Sequence, residues 1–194
     1  KSFYKKYEVL TNLLYITIDD YFTYVMEIIK NTKREISSLN SKFNSDNDLG
    51  AITNITTGLG DTHQKGKSVS TIYFKSGKKI IYKPRDLTLE QGFQEVLYWL
   101  GEKNIPGILN FKRVQIHTVN DSGWMEHIDY KSCFNKNEAN DFYTRSGNLL
   151  CLLYLLNAVD FHHENLIAHG SFPVLVDLES LFHARLKVDQ IDKK

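Results

Sequence analysis

The first part of the chain carries the hydrophobic spacing of α-helices. Apolar side chains recur through residues 3–16 and again through residues 19–44, at spacings of three, four and seven in the second segment. Such spacing places them on one face of a helix. We therefore predict two helices, the second capped by Asp19 or Asp20, and then a polar turn over residues 45–50. The apolar stripe predicted for the second helix consists of Phe22, Val25, Met26, Ile29, Ile36 and Phe43.

The pattern then changes to the alternation of β-strands. Short β-type runs fill residues 51–83, where Val69, Thr71 and Tyr73 alternate with their neighbours. The pair Ser76-Gly77 in this block is typical of a hairpin turn. The remaining predicted elements are a helix over residues 88–102, strands over 111–119 and 123–128, a helix over 137–157, and two short β segments over 166–170 and 173–179.

The order of these elements predicts an α+β fold in three segments. They are a helical segment over residues 1–49, a strand-rich segment over 50–129, and a segment over 130–194 that begins with a helix. The longest apolar run, over residues 149–156, is far shorter than the roughly 18 residues that a membrane span needs. We expect a buried helix there. No apolar segment typical of a signal peptide follows Lys1.

Composition and charge exclude several classes of protein. Of the 194 residues, 42% are hydrophobic, which is too many for a disordered protein. Lys and Arg number 24 and Asp and Glu 23, giving a formal charge of +1, and this balance argues against nucleic-acid binding and against a polybasic membrane module. Cys133 and Cys151 are too few for a disulfide framework or a four-cysteine zinc site. We expect a cytoplasmic protein with no nucleic-acid partner.

One polar segment follows the apolar helix and carries candidate chemistry. Residues 159–165, VDFHHEN, place Asp160, His162 and Asn165 in the pattern D-x-H-x-x-N, and Asp177 follows the apolar run VLV further along. Phosphoryl transfer needs a carboxylate near the attacking hydroxyl, and an Asn and a second Asp to hold magnesium. A loop and the end of a strand would supply these groups from two backbone segments. The alternative interpretation is a polar turn and a carboxylate at a sheet edge.

A lysine upstream of this loop completes the order found in kinases. Lys83 ends the predicted strand KIIYK and is the candidate cation for the ATP phosphates. A carboxylate on the next helix would orient it, with Glu95 beside the apolar face as the first candidate and Glu90 as the second. The alternative is a solvated lysine at a strand end. The glycines of residues 58–66 lack the G-x-G-x-x-G-x-V spacing, so we do not expect an ordinary protein kinase.

Four segments of the chain together resemble the dehydratase domain of LanM-type class II lanthipeptide synthetases. They are GDTHQKGKSVSTIYF, KKIIYKPRDL, GWMEHI and NAVDFHHENLIAHGSFPVLVDLESLF, in this order over residues 50–183. The resemblance implies a fold similar to lipid kinases. The chain would then hold a kinase-like N-lobe, with a small antiparallel sheet plus a helix, preceded by helices and followed by the start of a helical C-lobe. It would be the central part of the domain, and GWMEHI would form the hinge beside adenine or, alternatively, a core strand.

The resemblance implies the dehydration of Ser and Thr in a ribosomally made precursor peptide, a step of lantibiotic biosynthesis. The hydroxyl would be phosphorylated with ATP and Mg²⁺, and phosphate would then be eliminated to leave dehydroalanine or dehydrobutyrine. The residues carried over fall into three groups. Asp160 and His162 would serve phosphorylation and Asp61 and His63 elimination; Lys83, Glu95 and Arg85 would serve the nucleotide; Asn165, Asp177 and Glu179 would serve the metal.

The family's dehydratase domain is several times longer than the block matched here. We therefore expect a fragment that does not dehydrate a peptide alone. The implied partners are the precursor peptide, with its leader and core, the rest of the synthetase, including a zinc cyclase domain, and a membrane exporter. Two other functions stay open. One is a small-molecule or lipid-like kinase, and the other is an inactive kinase-like remnant that acts as a binding module.

Overall fold

The protein has a mixed α+β fold, seen here in a computed structural model that describes residues 2–44 and 48–183. Helices alternate with antiparallel strands, and the described residues form two compact units. The first unit contains the described residues up to Thr88 together with Val114–His127, and the second contains Leu89–Arg113 and the described residues from Ile128 onward. The predicted α+β class is confirmed, and the kinase-like assignment and the three-segment division stay predictions.

The first unit begins with three helices and contains a five-stranded sheet. The helices are α1 (Ser2–Lys6), α2 (Glu8–Arg34) and α3 (Ile36–Phe43), and the strands are β1 (Ile52–His63), β2 (Lys67–Phe74), β3 (Lys79–Lys83), β4 (Ile116–Val119) and β5 (Ser122–Glu126). The strand order is β1-β2-β3-β5-β4, and every neighbouring pair is antiparallel. The predicted turn at Ser76-Gly77 is confirmed. Gly77 has φ 84°, which suits glycine.

Helix α2 packs on this sheet through both apolar and polar side chains. Tyr24 and Ile28 of α2 lie in one buried cluster with Ile72, Tyr82 and Trp124 of the sheet. Polar contacts join the same two elements. Trp124 Nε1 donates to Thr32 Oγ1 (3.1 Å), Asn31 Nδ2 donates to Tyr82 OH (3.1 Å) and Ser122 Oγ (3.0 Å), Tyr24 OH donates to Ser68 O, and Lys67 Nζ pairs with Glu27 Oε2 (2.6 Å). Burial raises the pKa of Tyr24 to about 12.

The predicted bounds of the first helices are wrong, and the predicted apolar stripe is right only in part, since Ile36 and Phe43 pack against the buried cluster. Helix α2 continues through residues 17–18, where a break was predicted, so Asp19 and Asp20 lie inside it and cap nothing. The segment contains no Gly or Pro, and an interior Asp costs only a few tenths of a kcal/mol more than a good helix former. Phe22 is 64% exposed, and the buried positions are instead Tyr24, Ile28 and Thr32. Tyr24 and Thr32 carry hydroxyl groups that form hydrogen bonds to the sheet. A search for apolar residues alone overlooks such positions. Residues 45–47 of the predicted polar turn lie outside the described residues.

The second unit contains two helices and a small hairpin. They are α4 (Thr88–Glu102), whose first residue belongs to the first unit, α5 (Lys136–Leu155), and the antiparallel pair β6 (Leu166–His169) and β7 (Phe172–Leu175). The buried cluster of this unit consists of Phe93, Leu97, Leu149, Leu175, Leu178 and Leu181. Helix α4 has the predicted bounds, and the two predicted β segments around a turn are confirmed as this hairpin.

Two predicted elements are shorter or less buried than the sequence indicated. Of residues 111–119 only β4 is a strand, because its register with β5 begins at the pair Ile116 and Met125. The apolar run at the end of α5 is not a buried helix. Leu149 is buried, but Leu150 and Leu155 are 68% and 70% exposed, since consecutive residues point to different sides of a helix. Within the described residues no helix combines the length and apolar character that crossing a bilayer requires.

Candidate active site

Lys83 lies at the end of the third strand, in the middle of the five-stranded sheet. It pairs with Gly123 of β5, and only 4% of its surface is exposed. Gly123 is next to Leu87, because a Cβ atom at position 123 would lie 2.3 Å from Leu87 Cδ1. A side chain there would displace Leu87 and the turn that follows Lys83. The predicted lysine is therefore a buried strand-end residue, and the interpretation of a solvated lysine is wrong.

The turn after Lys83 is held by a network around Asp86. Asp86 Oδ1 accepts from Thr88 N (3.1 Å), Thr88 Oγ1 (2.7 Å) and Thr118 Oγ1 (3.0 Å). The Thr88 side-chain hydrogen bond contributes most to lowering the pKa of the Asp86 carboxyl. Arg85, half-buried in the same turn, donates from Nη1 to Asp86 O (3.2 Å). The network thus ties Thr88, the first residue of α4, to Thr118 of β4 within the first unit.

Helix α4 places its two candidate carboxylates on different sides. Glu90 is fully buried, with 0% of its surface exposed, whereas Glu95 is exposed. The expected position of Glu95 beside the apolar face is therefore wrong. Phe93 and Leu97 form that face, and Glu90 falls next to it, one turn before Phe93 and Gln94. Burial favours Glu90, the second candidate, as the carboxylate with a structural or catalytic role.

The candidate elimination residues Asp61 and His63 belong to a strand and not to a turn. They are the last residues of β1, which ends where the short 3₁₀ turn Gln64–Gly66 begins. The turn begins only after this pair, because His63 still pairs with Lys67 of β2. The side chains of residues 61–64 lie outside the described part of the structure.

In the second unit the segment 159–165 forms a loop whose shape depends on its own polar groups. Asp160 has φ 57°, a left-handed conformation that Asp and Asn adopt more readily than most residues. Asn165 Nδ2 donates to Asp160 O (2.9 Å), and Asn165 N donates to His162 O (3.1 Å). His162 Nδ1 accepts from Glu164 N (3.3 Å). Asp160 and His162 are exposed and Asn165 is half-buried.

The β6–β7 hairpin joins this loop to the second predicted metal ligand. Asn165 precedes β6 and Asp177 follows β7, so the antiparallel pairing of Leu166 with Leu175 brings the two ends of the hairpin together. Val176 N, next to Asp177, donates to Asn165 O (3.0 Å). Asp177 Oδ1 also accepts from Glu179 N at 3.4 Å. The structure thus brings together Asp160, Asn165 and Asp177 in one backbone-linked cluster, with Glu179 exposed at its side.

The donors in this cluster are of the kind that Mg²⁺ binds. Mg²⁺ prefers oxygen ligands and is usually held by one or two carboxylates plus substrate phosphates and water. The Asn165 side-chain nitrogen donates to Asp160 O, so the side-chain oxygen is the Asn165 atom of the type that Mg²⁺ binds. Among the described residues, no group of three or more His, Cys, Asp or Glu side chains could hold a metal ion. An Asn and one Asp supply too few ligands to hold a metal ion alone, so a Mg²⁺ ion bound to them would need further oxygen ligands from a nucleotide and water.

Two further features bear on the site, and only the second of them was missed in the sequence. The chain passes from the first unit to the second between His127 and Ile128, within the segment named as a hinge. Arg145, in the middle of α5, is only 8% exposed. An arginine four residues before the buried Leu149 was the available signal, because residues four apart lie on one helix face.

Two comparisons with known proteins agree with each other. A family model described as "Domain of unknown function (DUF4135)" matches residues 7–194. The chain is also similar to the "Lacticin 481/lactococcin biosynthesis protein LcnDR2" of Lactococcus lactis subsp. lactis, with 31% identity over 185 residues. That match covers 92% of this chain and 20% of the relative, so the chain spans about one fifth of the relative's length.

Proposed function

The chain belongs to the DUF4135 family, and from this premise we propose that it forms part of a peptide dehydratase. The resemblance to LanM-type synthetases, first indicated by the motifs, is confirmed by the similarity to a lacticin 481 biosynthesis protein. The proposed reaction is the dehydration of Ser and Thr in a ribosomally made precursor peptide. The chain would supply the residues for phosphorylation, as part of a longer synthetase.

One observation carries this proposal. Asn165 binds the loop through its side chain, to Asp160 O at 2.9 Å, and binds the residue before Asp177 through its backbone, from Val176 N at 3.0 Å. An acidic residue, an Asn and a second acidic residue are the groups that kinases use for the substrate hydroxyl and for magnesium. The backbone bond continues the hairpin register, and the side-chain bond adds the loop of Asp160 to the same end of the hairpin.

The residues of the cluster divide the proposed phosphorylation between them. The Ser or Thr hydroxyl oxygen attacks the γ-phosphorus of ATP, its proton passes to the Asp160 carboxylate, and ADP leaves. Asn165 and Asp177 would hold Mg²⁺, which supplies charge stabilisation on the phosphates when bound. The buried Lys83 would supply a fixed positive charge to the phosphates, and the buried Glu90 is our candidate for orienting it.

The second half of the proposed reaction needs a base and a phosphate leaving group. Removal of the Cα proton and departure of phosphate leave the alkene of dehydroalanine or dehydrobutyrine. An imidazole can move a proton near neutral pH, and a carboxylate can orient its ring. We assign these roles to His63 and Asp61, which stand two apart near the end of β1.

The proposal is tested in the full-length synthetase with its precursor peptide. Asp177→Asn should abolish phosphorylation, because an amide is a poor substitute for a metal-binding carboxylate. Asp121→Asn is the matched control, since Asp121 is an exposed carboxylate in the β4–β5 turn. Mass spectrometry separates the steps, because a phosphoryl group adds about 80 Da and a dehydration removes about 18 Da. Near-normal dehydration by Asp177→Asn would refute the assignment, and ADP formed only with small-molecule acceptors would favour the alternative kinase.

A further inference from the structure

A buried arginine binds the hairpin that carries both proposed metal ligands. Arg145 of α5 donates from Nε to Asn110 O (2.7 Å) and from Nη1 to Ser171 O (2.8 Å). Its Cζ atom lies 4.2 Å from the centre of the Phe172 ring. Asp141, one helical turn earlier, lies 3.8 Å from the guanidinium and is half exposed. Desolvation lowers the pKa of Arg145, so its charge is kept in a partly dry site that the carbonyls and the ring compensate.

Ser171 and Phe172 lie at the turn of the hairpin, which a second segment holds from another side. Gly170 in this turn has φ 60° and donates from its N–H to Lys131 O (2.8 Å), and Lys131 N donates to Ala168 O (2.9 Å). These are backbone contacts, which no side-chain substitution removes. Arg145 is the charged side chain that ties the turn to a helix.

The two paired strands of the hairpin connect its turn to its open end, so the position of the open end depends on the position of the turn. Its register runs without a bulge from His169 and Phe172 to Leu166 and Leu175. Four residues of strand span about 13 Å at about 3.3 Å per residue. Asn165 and Asp177 stand just beyond this open end, so Arg145 does not touch them. A tilt of the turn would nevertheless move both, because the paired strands act as one rigid arm.

The geometry points to Arg145 as a positioning residue for the magnesium–nucleotide site, acting through the β6–β7 hairpin. This inference rests on the proposed function, since it needs Asn165 and Asp177 to be the ligands. If Arg145 were purely structural, its substitution would lower the stability of the protein. The molecules that remain folded would still bind nucleotide with the wild-type dependence on Mg²⁺. A positioning arginine would alter that dependence in protein that is fully folded.

The test uses Arg145→Met and Arg145→Lys in the full-length synthetase. Calorimetry measures binding of a non-hydrolysable ATP analogue as a function of Mg²⁺, which needs no turnover. Arg145→Met should weaken the Mg²⁺-dependent binding by about tenfold, the lower end of what loss of a partner around metal ligands costs. Arg145→Lys keeps a positive charge and a hydrogen-bond donor, so it should bind the nucleotide more tightly than Arg145→Met and more weakly than the wild type. Hydrogen exchange at residues 166–176 should quicken in Arg145→Met, because the hairpin has lost the side-chain contacts that join its turn to α5.

The controls separate this inference from the function on which it rests. Arg113→Met removes an exposed arginine of the same unit that contacts Tyr98 and should bind Mg²⁺–nucleotide normally. If Arg145→Met does not fold, Phe172→Leu decides, since it removes only the ring contact and should weaken binding in the same direction by a smaller factor. Wild-type Mg²⁺ dependence in a folded Arg145→Met or in Phe172→Leu would overturn the inference. Wild-type dependence in Asp177→Asn as well would instead overturn the proposed function.

Discussion

The two places that carry the candidate chemistry are built in opposite ways. Lys83 lies on the central strand of the sheet and is 4% exposed. The same strand and its neighbour β5 carry large buried side chains, Tyr82 and Trp124. Asp160 and His162 stand in an exposed loop that is shaped by hydrogen bonds to its own backbone. The first place depends on packing, and the second depends on a few polar contacts.

The difference follows from what each group is proposed to do. A lysine loses roughly 1.5–2 kcal/mol of side-chain entropy when it is fixed, and a packed sheet imposes that loss during folding instead of during binding. A proton acceptor must reach a peptide hydroxyl, so it has to stand where a substrate can approach. We therefore expect changes at the loop to alter catalysis without altering stability, and changes at the sheet to alter stability first.

The largest effect is expected at the loop. Asp160→Asn in the full-length synthetase should lower the rate of peptide phosphorylation by about 10²- to 10⁴-fold, the usual contribution of a general base. The melting temperature should stay unchanged, because Asn adopts the left-handed conformation of Asp160 (φ 57°) as readily as Asp does. Initial rates of ADP release measure the expected loss of activity, and a thermal melt measures the expected unchanged stability. A melting temperature that falls together with the rate would contradict the expectation that changes at this loop alter catalysis without altering stability.

The elements could be predicted where local spacing decides them. Helix α4 and the hairpins at Ser76-Gly77 and residues 166–175 follow from apolar periodicity and turn residues, and the structure confirms them. The order Lys83, Asp160, Asn165 and Asp177 was also visible in the sequence. The helix and the hairpins depend on residues that are near each other in the chain, and the order of the four candidate residues needs no folding to be read.

The predictions failed where distant residues decide the outcome. The buried face of α2 is set by Tyr24 and Thr32, whose partners Ser68 and Trp124 are far away in sequence. The choice between Glu90 and Glu95 depended on which side of α4 is covered, and both lie within a turn of apolar residues. Apolar periodicity predicts which side chains share one face of a helix. It does not predict which other elements pack against each face.

The next effect concerns stability of the sheet beside Lys83. Leu87→Ala should lower the free energy of unfolding by about 2–5 kcal/mol, because Leu87 is 0% exposed. Gly123→Ala alone should cost about 1–3 kcal/mol, since its new Cβ would overlap Leu87. In the Leu87→Ala background the same Gly123→Ala change should cost less, because the two 2.3 Å overlaps are gone and only the 3.2 Å approach to the Cβ of residue 87 remains. Urea unfolding of the four proteins measures the coupling, and additive losses would contradict the packing described here.

A smaller loss of stability is expected from the polar contacts of α2. Thr32→Val keeps the shape of the side chain and leaves the Trp124 Nε1–H without the acceptor that now lies at 3.1 Å. An unsatisfied buried donor costs about 1–3 kcal/mol. Thr23→Val, at an exposed position of the same helix, is the matched control and should change little. Equal melting temperatures for the two variants would show that the hydrogen bond between Thr32 and Trp124 does not stabilise the packing of α2 on the sheet.

The smallest effect is a dependence of stability on pH at the end of α2. Glu35 Oε2 lies 3.2 Å from His117 Nε2 of β4, and this hydrogen bond contributes most to holding the pKa of the Glu35 carboxyl below its usual value. A carboxyl with a lowered pKa in the folded state stabilises above its unfolded pKa of about 4.3, and that stabilisation disappears as pH falls through the folded pKa. Glu35→Gln should therefore reduce the free energy of unfolding by less than about 1 kcal/mol near pH 6 and by nothing at pH values below the folded pKa. Denaturation curves across this acid range test the sign, with Glu8→Gln, an exposed carboxyl in the first turn of α2, as the control. A difference from wild type that grew as pH fell would mean that the contact between Glu35 and His117 does not stabilise the ionised carboxyl.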